Sequence, residues 1–370
     1  MNILIYYPYN HRSVEQQSVA EMLVKAGHQV VFFTTCEKGY IHDYLKSVGI
    51  PAYYTYGPTH GIQAYVKNIR KLNSIIKEKK IDVVIAQQQY PALIAGVLRL
   101  FKKFKLVYVR HNSDEDYQLN AVKAKWFNKI INALTPVKVA PSSIVQKFWI
   151  EKEMVSPKQI RRINYGYNFN QYEKANEGEA RNIQKIFPAA LLILSMARLV
   201  PSKRHKEMFS VVKRLVEEGI DCKMICLGTG SLENELRQII DISGMKNHIF
   251  LLGRKENIFD YIAACDVFFH LSSAEASNSA VKEVALYQKP VIVCKGVGDF
   301  EDYIIPWENG FLVDKENPVE ESHSILKAIA ENKVDRSKLG QRLFNTVTTM
   351  FDIKNVSEDY NRLLHYVMQQ

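Results

Sequence analysis

Two glutamates, Glu275 and Glu283, stand in the stretch "SSAEASNSAVKE", and the residues between them are small or polar except Val281. On one continuous helix, eight steps turn about 800°, leaving the two carboxylates about 80° apart rather than on one face. The local pattern divides the stretch instead. "DVFFHLSS" reads as a strand, "AEASN" as a turn and "SAVKEVALY" as a helix with Ala280, Val281, Val284 and Ala285 inward. Asn278 or Ser279 is the expected cap, since a short polar side chain accepts from the first free amides of a helix. Glu275 then sits on a loop and Glu283 about one turn into the helix. The backbone of Ser277, Asn278, Ser279, Ala280 and Val281 lies between them, and free amides at a helix start suit a phosphate or sugar hydroxyls.

Other candidates share that placement. In "SMARLVPSKRH" a strand ends near Ala197, and Arg198 and Lys203 follow at its exit. A guanidinium fork and a compact ammonium together suit a pyrophosphate whose charge must be held as it leaves. Alone, the motif reads more readily as two surface cations in a polar loop. "MICLGTGSLENEL" turns from strand to helix at Gly228 and Gly230, but Glu233 stands where a dinucleotide fingerprint needs a third glycine. "IFLLGRKENI" ends a strand at Gly253, followed by Arg254, where backbone groups are placed to edge a nucleobase. "CKGVGDFEDYI" repeats the theme with Gly296 and Gly298. Ligands of open α/β sheets bind beyond the carboxyl ends of the strands, and every one of these candidates lies there.

The elements that must hold them alternate along the whole chain. Continuous apolar runs at 2–8, 29–35, 82–87, 105–111 and 138–142 predict buried parallel strands, with helices at 14–26, 62–79, 90–103 and 122–134. The polar segment "EKANEGEARN" reads as an inter-domain connection leading into a helix. A second set of strands follows at 190–198, 221–228, 248–253, 267–272, 290–294 and 310–314. The expected architecture is α/β, with two Rossmann-like doubly wound domains facing across a cleft. Their expected bounds are 1–172 and 173–350, with a C-terminal helix in 351–370 crossing back to the first domain.

A chain of 370 residues exceeds one ordinary core, and its 47% hydrophobic and 24% charged content suits a soluble globular protein. The opening "MNILIYYPYN" runs straight into a strand pattern, so neither a signal peptide nor a membrane span is expected. Five scattered cysteines read as free thiols of a reducing cytoplasm rather than a metal site. The net charge of +10 is one-sided: residues 1–172 hold 24 Lys and Arg against 11 Asp and Glu, and the remainder 25 against 28. A basic first half favours an anionic partner, with a solvated face as the plain alternative. Trp126 and Phe127 among Lys123, Lys125 and Lys129 fit a membrane interface, though core packing of an amphipathic helix is the readier explanation. No nucleic-acid recognition motif accompanies the charge.

Taken in order, Arg198 with Lys203, "LGTGSLENEL", "FLLGRKENIFDYIAACDVFFHLSSAE", the paired glutamates, "KPVIVCKGVGDFEDYI" and "ENGFLVD" resemble the C-terminal domain of glycosyltransferase family 4, of the GT-B fold. "LVKAGHQVVFFTT", "DVVIAQQ", "LVYVRHN" and "KVAPSSIVQKFWI" are similar to its N-terminal landmarks. The resemblance implies a retaining transfer of a sugar from a nucleotide-sugar donor, a UDP-sugar by expectation, to a glycan or lipid-linked acceptor. It implies a donor-binding second domain and an acceptor-binding first. Arg198 and Lys203 would grip the diphosphate, Glu283 the ribose, Glu275 the donor sugar, and His111 would contact the transferred sugar. No cofactor or catalytic metal is implied, and the acidic stretch 114–116 reads as an exposed loop. The implied setting is cytoplasmic, peripheral on the inner face of the membrane. An epimerase or hydrolase of sugar nucleotides and a non-catalytic binding partner are the competing readings. The chain departs from the family at several points. The first loop, "YPYNHRSVEQQ", has no glycine. Ala276 and Arg204 stand where glycines are usual, and "NYGYN" replaces the common asparagine-glycine-valine-aspartate.

Overall fold

In the computed structural model the chain divides into two compact units, Met1–Tyr172 with Met350–Gln370, and Glu173–Thr349. The structure describes residues 1–57, 61–111 and 115–370, apart from the side chains of residues 115, 116, 118 and 119. Of the acidic stretch 114–116, Asp114 therefore lies outside the described residues, as do the side chains of Glu115 and Asp116.

The first unit is built on a parallel sheet of β1 (Asn2–Tyr7), β2 (Gln29–Thr34), β3 (Ala52–Tyr53), β4 (Val83–Gln87), β5 (Lys105–Val109), β6 (Val137–Ala140) and β7 (Ile160–Arg162). Their order is β3-β2-β1-β4-β5-β6-β7. The central strands are largely apolar because helices cover both faces, so neither set of alternate side chains meets water. The exceptions fall at strand ends and at Lys138, whose buried ammonium donates to Asn132 O at 3.1 Å. The edge strands β3 and β7 escape the sequence pattern. One has two residues, and "IRR" of the other has a single apolar side chain. The helix Ile353–Gln369 buries Val356, Tyr360, Leu363, Leu364 and Val367 in the same core as Ile3, Ile5, Val19 and Leu23. Tyr167 bridges to Asp352 just ahead of it. A side chain at Gly166 would come within 2.5 Å of Ile353 Cδ1, which is why this turn keeps its glycine.

The helix Glu115–Leu134 is broken at Asn120, whose φ of −159° and ψ of 95° are extended. Asn120 Oδ1 accepts the Lys123 amide at 3.0 Å, so it caps a second helical segment, close to the start expected from the sequence.

The second unit repeats the plan with β8 (Leu191–Met196), β9 (Cys222–Leu227), β10 (Ile249–Leu251), β11 (Val267–His270), β12 (Val291–Cys294) and β13 (Phe311–Val313). All pair in parallel in the order β10-β9-β8-β11-β12-β13. Strand order reverses between β8 and β11, so the loops leaving these two neighbours diverge and open a crevice at their carboxyl ends. The segment expected as a connection is largely helical from Glu177 to Ile186. Asn176 caps it by accepting from Gly178 and Glu179, and its polarity reflects a solvent face on which only Ala180 and Ile183 turn inward. All five cysteines are free, four of them buried.

Candidate active site

The crevice beside β8 and β11 holds a connected polar cluster built on Lys203, His270, Glu275 and Asn278. After β8 the chain makes a short 3-10 turn, Pro201–Lys203, that buries Lys203. Ser273, after β11, donates its amide to Ser202 O at 2.8 Å and so ties the two exit loops together. Across this seam Lys203 Nζ donates to Glu275 Oε1 at 2.5 Å, to Ser272 Oγ at 3.1 Å and to Ala274 O at 3.4 Å. An ammonium has three protons, so Lys203 is fully bonded.

Glu275 Oε1 is loaded from two further sides, by His270 Nε2 at 2.9 Å and Asn278 Nδ2 at 3.1 Å. Burial by itself would raise this carboxyl. The Lys203 charge and then His270 outweigh it and hold the group well below the usual carboxylate range. Glu275 is therefore an anion pinned by one oxygen. Its other oxygen, Oε2, accepts no hydrogen bond among the described residues, and the side chain is 13% exposed. His205 lies behind the pair. Burial foremost, with His270 and Lys203 adding, lowers its imidazole to about 4 and keeps it neutral.

Asn278 is the cap of the helix Ser279–Ala285, accepting the Val281 amide at 3.0 Å. Its own amide donates to Asp299 Oδ1 at 3.4 Å. Two of the amides expected to face a ligand are thus committed within the protein. Val281 offers no side chain either, since it is fully buried. The amides of Ser279 and Ala280 are unbonded among the described residues. Glu283 sits half-buried one turn into this helix.

Beneath the loop lies an ion pair that the sequence reading did not single out. Lys282 Nζ and Asp299 Oδ2 are bonded with both side chains fully buried, and Ser277 Oγ joins them, donating to Asp299 and accepting from Lys282. Burial drives both groups toward their neutral forms, the lysine downward and the aspartate upward, and their mutual attraction opposes it. The signal was present in the sequence: a lysine among Val281, Val284 and Ala285 on an inward helix face needs a buried acid. Gly298, next to Asp299, has φ +57° and would place a side chain 2.8 Å from Glu275 Cβ. Its lack of a side chain is what lets the glutamate fit.

The remaining candidates separate. Arg198 and Arg254 are exposed, and neither guanidinium makes a hydrogen bond or ion pair among the described residues. Gly228 donates its amide to Gly253 O at 2.8 Å, and a side chain there would strike Ala197 O at 2.0 Å. Gly230 meets Leu199 O as closely, at 2.3 Å. These glycines let the loop bearing Arg198 cross closely over the β9 exit, and the Gly228 amide is bonded within the protein rather than facing a ligand. Arg204 takes φ +53°, the left-handed region, and its guanidinium donates to Lys315 O. The family's usual glycine at this position thus has a backbone reason. Ala276 does not have a positive φ, so it occupies its glycine-like position without strain.

In the first unit His111 follows β5. Its Nδ1 lies 2.5 Å from Tyr165 Oη and its Nε2 2.5 Å from Gln87 Oε1. One neutral tautomer satisfies both contacts, with Tyr165 donating to Nδ1 and Nε2–H donating to Gln87. Burial lowers the ring to about 3, in keeping with that neutral form. Gln87 and Tyr165 are supports that the sequence did not reveal. Among the described residues no three His, Cys, Asp or Glu side chains come together as metal ligands.

Two parallel doubly wound domains in one chain, with a charged crevice at the switch point of the second, define the fold class of GT-B glycosyltransferases. The Glycosyltransferase Family 4 model matches residues 17–171, and the Glycosyl transferases group 1 model matches residues 176–343. The chain belongs to this glycosyltransferase family. It is 26% identical to an uncharacterized glycosyltransferase of Methanocaldococcus jannaschii over 81% of this chain and 83% of that protein. It is 22% identical to the UDP-Gal:alpha-D-GlcNAc-diphosphoundecaprenol alpha-1,3-galactosyltransferase of Escherichia coli, over 87% and 85%. The Anabaena protein HepE, solved in complex with UDP-glucose, superposes with a TM-score of 0.82 at 18% identity, covering 99% of this chain and 100% of that one.

Proposed function

We propose that this glycosyltransferase is a retaining enzyme that takes a sugar from a UDP-sugar and delivers it to a glycan or lipid-linked acceptor in the cytoplasm. The observation that carries this reading is the pinned Glu275. Three donors hold Oε1, which leaves Oε2 as a fixed anionic acceptor at the mouth of the crevice, the geometry needed to bind and orient hydroxyls of a donor sugar. Arg198 and Arg254, exposed and unpaired, supply the charge that meets a diphosphate. Lys203 acts mainly by setting Glu275, and it can reach a phosphate only by giving up one of its present bonds. Glu283, half-buried further along the helix, takes the ribose hydroxyls in this reading, and the Ser279 and Ala280 amides take an anionic oxygen. Leaving-group charge is borne by these fixed groups without a catalytic metal. His111, held neutral, contributes a hydrogen bond to the transferred sugar rather than a charge. The UDP preference is supported by the UDP-glucose bound to HepE and by the donor named for the E. coli relative.

The first test is a thermal shift with UDP-, GDP- and ADP-glucose, since a ligand that binds only the folded state raises the melting temperature. A rise with the UDP-sugar alone supports the reading; equal response to all three, or to none, refutes the donor assignment. The anomeric configuration of the product, read by NMR, tests retention directly. Glu275→Gln is expected to lower kcat/KM by about 100-fold or more, the scale of a lost fixed electrostatic contact. Transfer at the native rate would overturn the assignment.

A further inference from the structure

The helical segment that Asn120 caps has an outer face that no described residue of the first unit covers. Val122 is 71% exposed, Trp126 64% and Ile130 51%. At about 100° per residue these three fall within about 80° of arc. Lys125 and Lys129 lie along one side of that stripe and Lys123 along the other. The opposite face carries Ala124, Asn128 and Ile131, all buried. The segment is anchored by its inner face, so its apolar outer face is not core that has turned outward. Core packing accounts for Ala124 and Ile131, and it does not account for Trp126. Lys129 Nζ stands 5.4 Å from the centroid of the Trp126 ring.

Along the chain through this stripe the charge has one sign, and the Glu153 carboxylate that meets the helix at Asn128 and Asn132 is buried on its inner side and paired with Arg110. Between Asp116 and Glu151 the sequence contains no acidic residue. The neighbouring helix Gln89–Arg99 leads directly into exposed Leu100 and Phe101, followed by Lys102 and Lys103. A protein partner of ordinary composition would leave these lysines facing mixed charge. An apolar stripe with an aromatic ring at its centre and lysines along both margins fits the boundary between acyl chains and anionic headgroups. The ring and the aliphatic stems enter the apolar layer while the ammonium groups stay level with the phosphates.

We propose that the face formed by Val122, Trp126 and Ile130, with Lys123, Lys125 and Lys129, docks this enzyme on an anionic lipid bilayer. It brings the first domain to the surface where a lipid-linked acceptor would be displayed, and to that extent it builds on the acceptor class proposed above. Docking itself needs no acceptor and can be measured alone.

The test is vesicle flotation of the full chain, using phosphatidylcholine vesicles with and without about one third phosphatidylglycerol, at low and high salt. Three proteins are compared: the native chain, Val122→Ser/Trp126→Ser/Ile130→Ser, and a charge control, Lys147→Glu/Lys152→Glu/Lys158→Glu, altered elsewhere in the same unit. The native chain is expected to float with the anionic vesicles and to be released by salt. The stripe variant should lose at least about tenfold in partitioning, while the charge control keeps most of it. All stripe positions are exposed, so the variant should melt as the native protein does. The proposal fails if the native chain ignores lipid charge, if the stripe variant floats equally well, or if the charge control falls as far as the stripe variant. It also fails if sedimentation shows a dimer that only the stripe variant dissolves while no protein floats, because a second copy would then cover the face. UDP binding, followed by thermal shift on the same three proteins, reports on the donor site separately.

Discussion

Glu15 shows how much one buried side chain can set. It follows the first strand, is buried, and receives both of its hydrogen bonds from the Gln16 amide, at 2.9 and 2.8 Å. Burial lifts its carboxyl to about 7, against the smaller opposite effect of Gln16. The folded chain therefore keeps this proton to about pH 7, whereas the unfolded chain releases it near 4.5. Between those values the folded state binds the extra proton, so stability falls as pH rises, by on the order of 3 kcal/mol in all. Glu15→Gln removes that dependence. Chemical denaturation should find the variant more stable than the native chain at pH 8, by up to about 3 kcal/mol, and little different at pH 5. Equal differences at the two pH values would show that Glu15 is ionised throughout. The Lys282–Asp299 pair behaves in the opposite sense. Lys282→Met leaves Asp299 buried without its cation and is expected to cost about 3–5 kcal/mol, with much of the loss recovered when Asp299→Asn is added.

At the scale of elements, the site depends on loops that fit against one another. The turn after β12 abuts the Glu275 loop at Gly298, and Asp299 bonds both the Ser277 hydroxyl and the Asn278 amide. Gly298→Ala introduces a side chain in the left-handed region and 2.8 Å from Glu275 Cβ. The backbone strain is about 1–2 kcal/mol, and the contact must also displace the glutamate. Donor affinity measured by calorimetry should therefore fall more than tenfold while the melting temperature drops by only a few degrees. A variant that binds donor normally would show that Glu275 does not need its present position. Arg204 illustrates the converse. Its left-handed backbone is opposed by the bond from its guanidinium to Lys315 O, so Arg204→Gly removes strain and a tether together.

For the whole molecule, the chain's ends belong to one body. Residues 350–370 return to the first unit, and their helix supplies five buried side chains to its core. A fragment of residues 1–172 lacks that layer and exposes Ile3, Val19 and Leu23 beneath it. It should fail to give a cooperative melt, whereas residues 173–349, a continuous unit with its own sheet, should melt cooperatively alone. Circular dichroism of the two fragments decides it. A cooperative transition in the first fragment would show that the returning helix is dispensable.

The sequence by itself determined the alternation of strands and helices, because runs buried on both faces must be apolar and amphipathic helices must follow a 3.6-residue period. It also placed the candidate site, since Arg198, Lys203, Glu275 and the glycine turns all fall after strands. It placed the cap at Asn278 or Ser279, and the geometry selects Asn278. It missed β3 and β7, which are too short to carry a pattern, and it read as a connection a helix whose buried face has only two apolar residues. What only the tertiary structure decided is how the charges are partnered. Lys203 and Arg198 look alike on the page, but one is saturated by Glu275, Ser272 and Ala274 and the other is open to solvent. Lys282 and Asp299 are seventeen residues apart and become one buried pair. Trp126 among lysines reads two ways as a string, and its ring stands outside the core. Periodicity is a property of neighbours in sequence, whereas the state of a charge depends on what folding brings beside it from elsewhere in the chain.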